Sequence, residues 1–398
     1  VIGFTSFRRT VPLCPEGVKA AAGRPRTGYT PARGAILLST TAHHLRQGIG
    51  LVDATALVVG SMIGSGIFIV SAESSRVLGS PGWLLAAWAI SGALTVMGAL
   101  CCAELAAMLP KAGGQYVFFR EAYGPLFGFL FGWTMFLVVQ TGTIAAVAIA
   151  FAKFLGVLWP AISGTNTVLS IGSFTVSTVQ LVGLIVIAVL TASNATGLKT
   201  GTRTQNVFTF AKLAALVALT ALGLALGRSG TLGAADFWTS VSPAGEPQTG
   251  WVLVAALGTA MVGPLFSQSA WNNVTFAGEE IRDPARTLPR ALLVGCLLVT
   301  AVYVLANVSY LKVLPLDGIQ HAPEDRVATA AVTALFGPGA TAVMAAAIMV
   351  STFGCVNGLI LSGARVSFAM ARDGMFFHGL DRLNRADVPG NALWAQAL

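Results

Sequence analysis

The chain of 398 residues is 55% hydrophobic and only 10% charged, with a mean hydropathy of +0.75. That balance lies far outside a soluble globular domain and points to a protein that crosses a membrane several times. A formal charge of +8 would suggest nucleic acid in a soluble chain, but here the basic residues gather between apolar runs, so membrane topology rather than a nucleic-acid partner accounts for them.

Residues 1–46 are rich in Arg, Pro, Gly and Thr, with Glu16 as their single acid. Such a composition builds no core, and the segment is expected to be disordered or non-native. Arg8-Arg9 lacks the apolar core that a twin-arginine signal requires, so that reading is rejected, and His43-His44 has no third ligand nearby and is read as a solvated pair. No methionine precedes Met62, which leaves an unusual start, upstream translated sequence or a fragment as alternatives.

Residues 47–390 form the expected core. Apolar runs long enough for a hydrocarbon layer of about 30 Å, roughly 20 helical residues each, begin near Leu51, Gly82, Pro125, Val176, Gly201, Gly250, Leu288 and Gly339. These are eight spans, the last ending near Arg372. They are continuous rather than alternating, so helices are predicted and barrel strands excluded. Asn391 to Leu398 reads as the opening of a ninth span, so the fold is expected to be truncated after span eight.

Basic residues fall on alternate sides. Arg46, Lys111, Arg120, Lys199, Arg203, Arg282, Arg286, Arg290, Arg372, Arg382 and Arg385 lie on one side, against Arg76, Lys153, Arg228, Lys312 and Arg326 on the other. The richer side is expected to face the cytoplasm, together with the N-terminus. Cys14, Cys101, Cys102, Cys296 and Cys355 have no metal-like spacing, and all but Cys14 fall in predicted spans, so they read as packing residues.

Two spans are interrupted. Ile63-Gly64-Ser65-Gly66 breaks the first and Ser267-Gln268-Ser269-Ala270 the sixth. Lipid leaves no partner for freed backbone groups, so such breaks occur where protein or a watery cavity receives them, and corresponding breaks in two halves mark a binding site. A five-span separation is an odd number, which turns the second copy upside down: a first repeat at about 50–227 and an incomplete second at about 250–398. At the first break, free N–H groups and the dipole of the following half-helix suit a carboxylate. The alternative is that Gly64 and Gly66 only let helices pack closely. The second break offers carbonyls and the hydroxyls of Ser267 and Ser269, which suit an ammonium group.

Gly60-Ser61-Met62-Ile63-Gly64-Ser65-Gly66-Ile67-Phe68, Pro110-Lys111-Ala112-Gly113-Gly114-Gln115-Tyr116 and Arg120-Glu121-Ala122-Tyr123-Gly124-Pro125 resemble the amino acid–polyamine–organocation superfamily. Its L-type amino acid transporter-like permeases offer the nearest likeness. Trp271-Asn272-Asn273, Glu279-Glu280-Ile281-Arg282-Asp283-Pro284, Ser351-Thr352-Phe353-Gly354-Cys355-Val356-Asn357-Gly358 and Ala371-Arg372-Asp373-Gly374 follow in the same order. The resemblance implies an all-α polytopic membrane protein with a five-plus-five inverted-repeat, LeuT-like transporter fold.

It further implies that the first break holds a substrate carboxylate, that carbonyls of both breaks hold its amino group, that Phe266 stands where an aromatic gate stands, with plain core as the alternative, and that Asn357 lies near the substrate cavity, with an interhelical hydrogen bond as the alternative. The resemblance also places a lysine against the first break, where sodium-coupled relatives hold an ion. Lys199 is matched to it, with a plain snorkelling anchor as the alternative. The chain departs from its relatives at Gln268-Ser269-Ala270, where an aromatic residue followed by Gly or Asp is common, so the floor of the side-chain pocket is smaller and more polar.

Glu104 is expected to form a structural ion pair, and the charges from Glu279 to Arg290 to tie spans six and seven together. No phosphate-binding loop or hydrolase triad occurs, so neither an enzyme nor a cofactor is expected. The reading is a multi-pass permease of the plasma or inner membrane that moves an amino acid by alternating access, either coupled to protons or as an exchanger. A polyamine or organic amine transporter and a non-transporting sensor or interaction protein are the alternatives. An accessory subunit is left open.

Overall fold

A computed structural model of the protein describes residues 45–171, 174–229 and 231–398. The expectations for Arg8-Arg9, Cys14, His43-His44 and the rest of residues 1–44 lie outside the described residues.

Helix α1 (Leu51–Met62) stops at Ile63, whose backbone is extended, and α2 (Gly66–Leu78) resumes at an angle of 42°. The two make one broken span. Helix α3 (Pro81–Met108) starts with Pro81 in its first turn and Ser80 accepting from the Trp83 N–H at 3.4 Å, a start that Pro and Ser both favour. A short amphipathic helix, α4 (Gln115–Tyr123), leads to α5 (Pro125–Thr134), a π-helical turn at Met135–Gln140 and α6 (Thr141–Leu158). The turn sends Gln140 inward to donate to the Leu359 carbonyl at 2.8 Å. An antiparallel hairpin, β1 (Thr167–Ile171) and β2 (Phe174–Ser177), precedes α7 (Thr178–Ala195) and α8 (Leu198–Leu226). The sequence reading contained no strands. The hairpin belongs to a loop between spans, where its polar groups meet water.

Helix α9 (Gly250–Ser267) and the single turn α10 (Asn273–Phe276) flank the second break. They are followed by α11 (Pro284–Val313), α12 (Leu316–Gln320), α13 (Val327–Phe336), α14 (Ala340–Arg372) and α15 (Gly390–Ala397). Among the described residues, seven helices are long and apolar enough to span a membrane, and the bent pair makes eight. This is the span count read from the sequence. Helix α14 is the most enclosed, with 67% of its apolar window buried against 22% for α9, so α14 forms the centre and α9 turns a face to lipid.

Lipid supplies no hydrophobic drive between helices, so close packing of small residues and polar contacts must hold them. Pro264 shows how. Having no N–H, it leaves the carbonyl one turn earlier unclaimed, and Ser74 of α2 donates to that Ala260 carbonyl at 2.9 Å. Farther down the same seam, a Cβ on Gly263 would strike Val70.

On the side rich in Lys and Arg, the segment after α10 is a junction. The Glu280 carbonyl accepts from Gly48 and Ile49 at 2.9 and 3.0 Å, and the Phe276 carbonyl from Gly113 at 2.9 Å. The Glu280 carboxylate receives Arg365 of α14 through two bonds of 3.0 Å, with both side chains buried. Glu279 pairs with Arg372 at 2.9 Å, and Asp373 receives Arg120 and the Tyr116 hydroxyl. Burial and the Asp373 carboxylate push the Tyr116 hydroxyl up, which keeps it a donor. These contacts correct two expectations. The acids tie span six to span eight rather than to span seven, because Glu279 and Glu280 lie on the turn that faces the end of α14. Glu104 is exposed on α3 and has no ion pair among the described residues; at the end of its span water already solvates it.

Replacing Glu280 with Ala strands a buried guanidinium, which is expected to cost about 3–5 kcal/mol. Thermal unfolding in detergent should therefore fall sharply for Glu280→Ala and recover in the Glu280→Ala, Arg365→Met double variant. A single variant as stable as wild type would contradict the pairing.

Candidate functional site

The two breaks touch. A Cβ on Gly66 would run into the Ser267 Oγ and lie 2.7 Å from the Ser267 Cβ and 3.2 Å from its Cα. Gly66 therefore serves the close packing that the sequence left as an alternative, and it also opens α2. The N–H groups of Gly66 and Ile67 have no carbonyl one turn earlier to bond, and Ser65, at the N-cap, makes no capping bond. Ser65 and Gly66 are half-buried rather than sealed. This uncapped helix start is an electropositive surface for an anion. Gly64 has more room, with the Cys355 Sγ at 3.4 Å from the Cβ it lacks.

The carbonyl end of α1 is claimed from three directions. Lys212 of α8 donates to the carbonyls of Gly60, Ile63 and Ser351 at 2.5, 2.6 and 3.3 Å. The Ser351 hydroxyl of α14 lies 3.2 Å from the Ile63 carbonyl and 3.1 Å from that of Gly64. Tyr303 of α11 donates to the Met62 carbonyl at 3.1 Å and stands 3.5 Å from the Ser267 carbonyl. Its hydroxyl thus lies between the carbonyl ends of the two broken spans, held by the edge of Trp88 with ring centroids 5.5 Å apart. Lys212 is 1% exposed. A buried ammonium is tolerated only where other groups replace its hydration shell, and the three carbonyls do so.

The second break turns at Ala270, whose φ of 68° is in the left-handed region, a conformation that favours glycine and costs about 1–2 kcal/mol for a residue with a Cβ. Ser267 bonds back to the Gly263 carbonyl at 2.9 Å and Ser269 to that of Phe266 at 2.6 Å.

Several expected site residues stand elsewhere. Lys199 is exposed at the start of α8. Its exposure agrees with the anchor of the alternative reading, and Lys212, near the middle of the same helix, is the lysine that bonds the first break. Phe266 is 62% exposed, in the last turn of α9 beside the second break. Gln268 is buried but faces away, donating to the Trp88 carbonyl at 3.3 Å and accepting from Thr300 at 3.1 Å. It ties α3 to α11 instead of flooring a pocket. Asn357 joins a bridge between helices, accepting from Asn194 and donating to Gln205, each at 2.9 Å. From α14 it is Ser351 and Cys355 that reach the break, the latter through its thiol to the Ser61 carbonyl at 3.2 Å. Among the described residues no cluster could hold a metal ion.

Lys212, Tyr303 and Ser351 escaped the sequence reading. Lys212 carried a usable signal, since an ionisable residue in the middle of an apolar span marks a functional position by default.

Residues 49–398 match the family model described as amino acid permease. The chain is 34% identical over 339 residues to the human large neutral amino acids transporter small subunit 2, covering 83% of this chain and 58% of that one. It is 33% identical over 334 residues to the serine/threonine exchanger SteT of Bacillus subtilis (strain 168), covering 84% and 70%. The chain thus spans less than two thirds of the human relative's length. Among solved structures, it is similar to the nucleobase-cation-symport-1 family transporter Mhp1 in a closed conformation, with a TM-score of 0.56 at 12% identity, covering 88% of this chain and 70% of that one. This likeness supports the inverted-repeat, LeuT-like fold.

Proposed function

The chain belongs to the amino acid permease family of the amino acid–polyamine–organocation superfamily, and from that premise we propose that it is a permease that carries amino acids across the cell membrane by alternating access. The observation that carries this reading is the contact of the two breaks at Gly66 and Ser267, which sets an uncapped helix start beside two helix ends rich in carbonyls. The N–H groups of Gly66 and Ile67 receive the α-carboxylate. The carbonyl ends at Met62 and Ser267, bridged by Tyr303, receive the α-ammonium. A zwitterion is the ligand whose two charges fit both.

The side rich in Lys and Arg faces the cytoplasm, as the positive-inside rule requires. The Glu280–Arg365 and Glu279–Arg372 pairs then close the cytoplasmic end in this conformation. Lys212 occupies the place of a coupling cation between α1 and α14. Whether its charge comes and goes decides between proton coupling and exchange, and the similarity to an exchanger favours a cycle in which substrate moves in both directions.

The test is uptake into proteoliposomes with a panel that includes serine, threonine, leucine and a polyamine. Saturable uptake of at least one of the amino acids is expected. Uptake of the polyamine alone, or of none, would overturn the assignment.

A further inference from the structure

Helices α3 and α4 enclose a groove of about 570 Å³, within the roughly 300–1,000 Å³ typical of sites for small molecules. Leu105, Met108 and Leu109 of α3 line one wall, and Phe118, Phe119 and Tyr123 of α4 the other. The groove is open on its outer side, where Met108 is 70% and Tyr123 67% exposed. Leu94, Met97, Cys101, Leu105 and Met108 are all exposed and recur every three or four residues, so they form one apolar stripe along α3. In a membrane span such a stripe faces acyl chains, and this one runs into the groove.

The charges at its mouth are unequally satisfied. Glu121 lines the groove and receives Arg120 at 2.8 Å. Lys111 comes only within 3.8 Å of the same carboxylate, beyond hydrogen-bond reach, and its side chain is 58% exposed. Its ammonium is therefore available to a phosphate. Glu279, Arg372 and Asp373 are engaged in the ion pairs described above, and Glu104, though exposed, does not line the groove. At the inner end, the Gln115 amide donates to the Cys102 Sγ at 3.6 Å and accepts from Asn272 at 2.6 Å. One side chain thus touches both the groove and the second break. Another face of α4 carries Tyr116 and Arg120, which hold Asp373 at the end of α14.

We infer that this groove is a binding site for an anionic phospholipid of the cytoplasmic leaflet, with an acyl chain between α3 and α4 and the phosphate on Lys111. The chain fits because the lipid-facing stripe of α3 continues into the groove. The headgroup fits because a basic residue at the cytoplasmic boundary attracts anionic lipid. The leaflet rests on the topology proposed above; the groove and its free ammonium do not. A seated lipid braces α4 against α3, and α4 in turn reaches Asn272 at the second break and Asp373 on the cytoplasmic side. Moving α4 away from α3 takes the groove apart, so the lipid binds the closed cytoplasmic end better than an open one and shifts the balance toward it.

The test places the full chain in phosphatidylcholine bilayers doped with a photoreactive lipid, either phosphatidylglycerol or phosphatidylcholine with the same diazirine-bearing acyl chain, and maps the crosslinks by mass spectrometry. Crosslinks should concentrate in residues 102–123 and be about fivefold more frequent with phosphatidylglycerol. Lys111→Gln should remove that preference, and Ala122→Trp, which fills the groove, should remove the crosslinks of both lipids. Unlabelled phosphatidylglycerol should also slow hydrogen exchange at the amides of residues 115–123 in the wild type but not in Lys111→Gln. Crosslinks spread evenly over the lipid-facing helices would mean annular lipid only and overturn the site. A preference for phosphatidylglycerol that survives Lys111→Gln would overturn the placing of the phosphate, and unchanged exchange in the wild type would overturn the bracing. None of these readouts depends on which solute is carried, so the permease reading stands or falls separately.

Discussion

Gly66→Val abolishes substrate uptake while the protein still inserts and folds. The side chain has nowhere to go, because even the first carbon added at Gly66 meets the Oγ and Cβ of Ser267. Overpacking a tight contact costs about 1–3 kcal/mol, which a polytopic protein with eight spans tolerates. The site does not tolerate it, because separating the breaks moves the N–H groups of α2 away from the carbonyls opposite. A displacement of about 1 Å costs roughly a hundredfold where geometry governs function. Gly66→Ala should show a weaker form of the defect, and Ser267→Gly should partly rescue it, since it removes the struck atoms. Wild-type uptake by Gly66→Val, with normal surface expression, would remove the proposed carboxylate site. Loss in Gly66→Ala with no rescue by Ser267→Gly would show that the contact is not the cause.

Lys212→Met also stops transport, for an electrostatic reason. The ammonium holds the carbonyls of Gly60 and Ile63 on α1 against that of Ser351 on α14. Hydrogen bonds from a charged group are worth about 1.5–3 kcal/mol each, and losing two of them corresponds to roughly a hundredfold or more. Lys212→Arg should fail as well, because a planar fork does not replace a compact point charge among convergent carbonyls. Lys212→Ala leaves those oxygens around a vacated space, and sodium should restore part of its uptake where potassium and choline do not. Uptake by Lys212→Ala at the wild-type rate without sodium would reduce Lys212 to a structural residue.

Much of this was legible in the chain. Each break combines Gly or Ser with an apolar run, and lipid makes that combination expensive unless something receives the freed backbone, so both breaks and their five-span separation could be read directly. The lysine could not be placed by motif. Lys199 has the local context, but thirteen residues of helix put it roughly 20 Å from Lys212, and only the second lies level with the break.

Asn357 makes the interhelical bridge of its alternative reading for a related reason. Ser351 meets the break, and six residues further along a helix turns the side chain by about 240°, toward α7 and α8. The reversal of Gln268 depends on Thr300 and the Trp88 carbonyl, partners from two other spans that no local pattern announces. Tyr303 is hidden similarly, since its role arises only when α11 is packed against both breaks. The backbone of the site was thus visible from residue type, and the side chains that complete it depend on which helices become neighbours.

The central claim is that the site holds the two charged ends of one molecule at two different breaks. Thermal unfolding of the purified full chain measures it directly with three matched ligands: leucine, its amine without the carboxylate, and its carboxylic acid without the amino group, with the same series built on threonine. A ligand at about a hundred times its Kd stabilises the folded state by roughly 2.7 kcal/mol, which shifts the midpoint clearly. The account predicts a rise with at least one of the two amino acids and none with either half-molecule. An equal rise with the amine or the acid alone, or no rise with either amino acid, would contradict it.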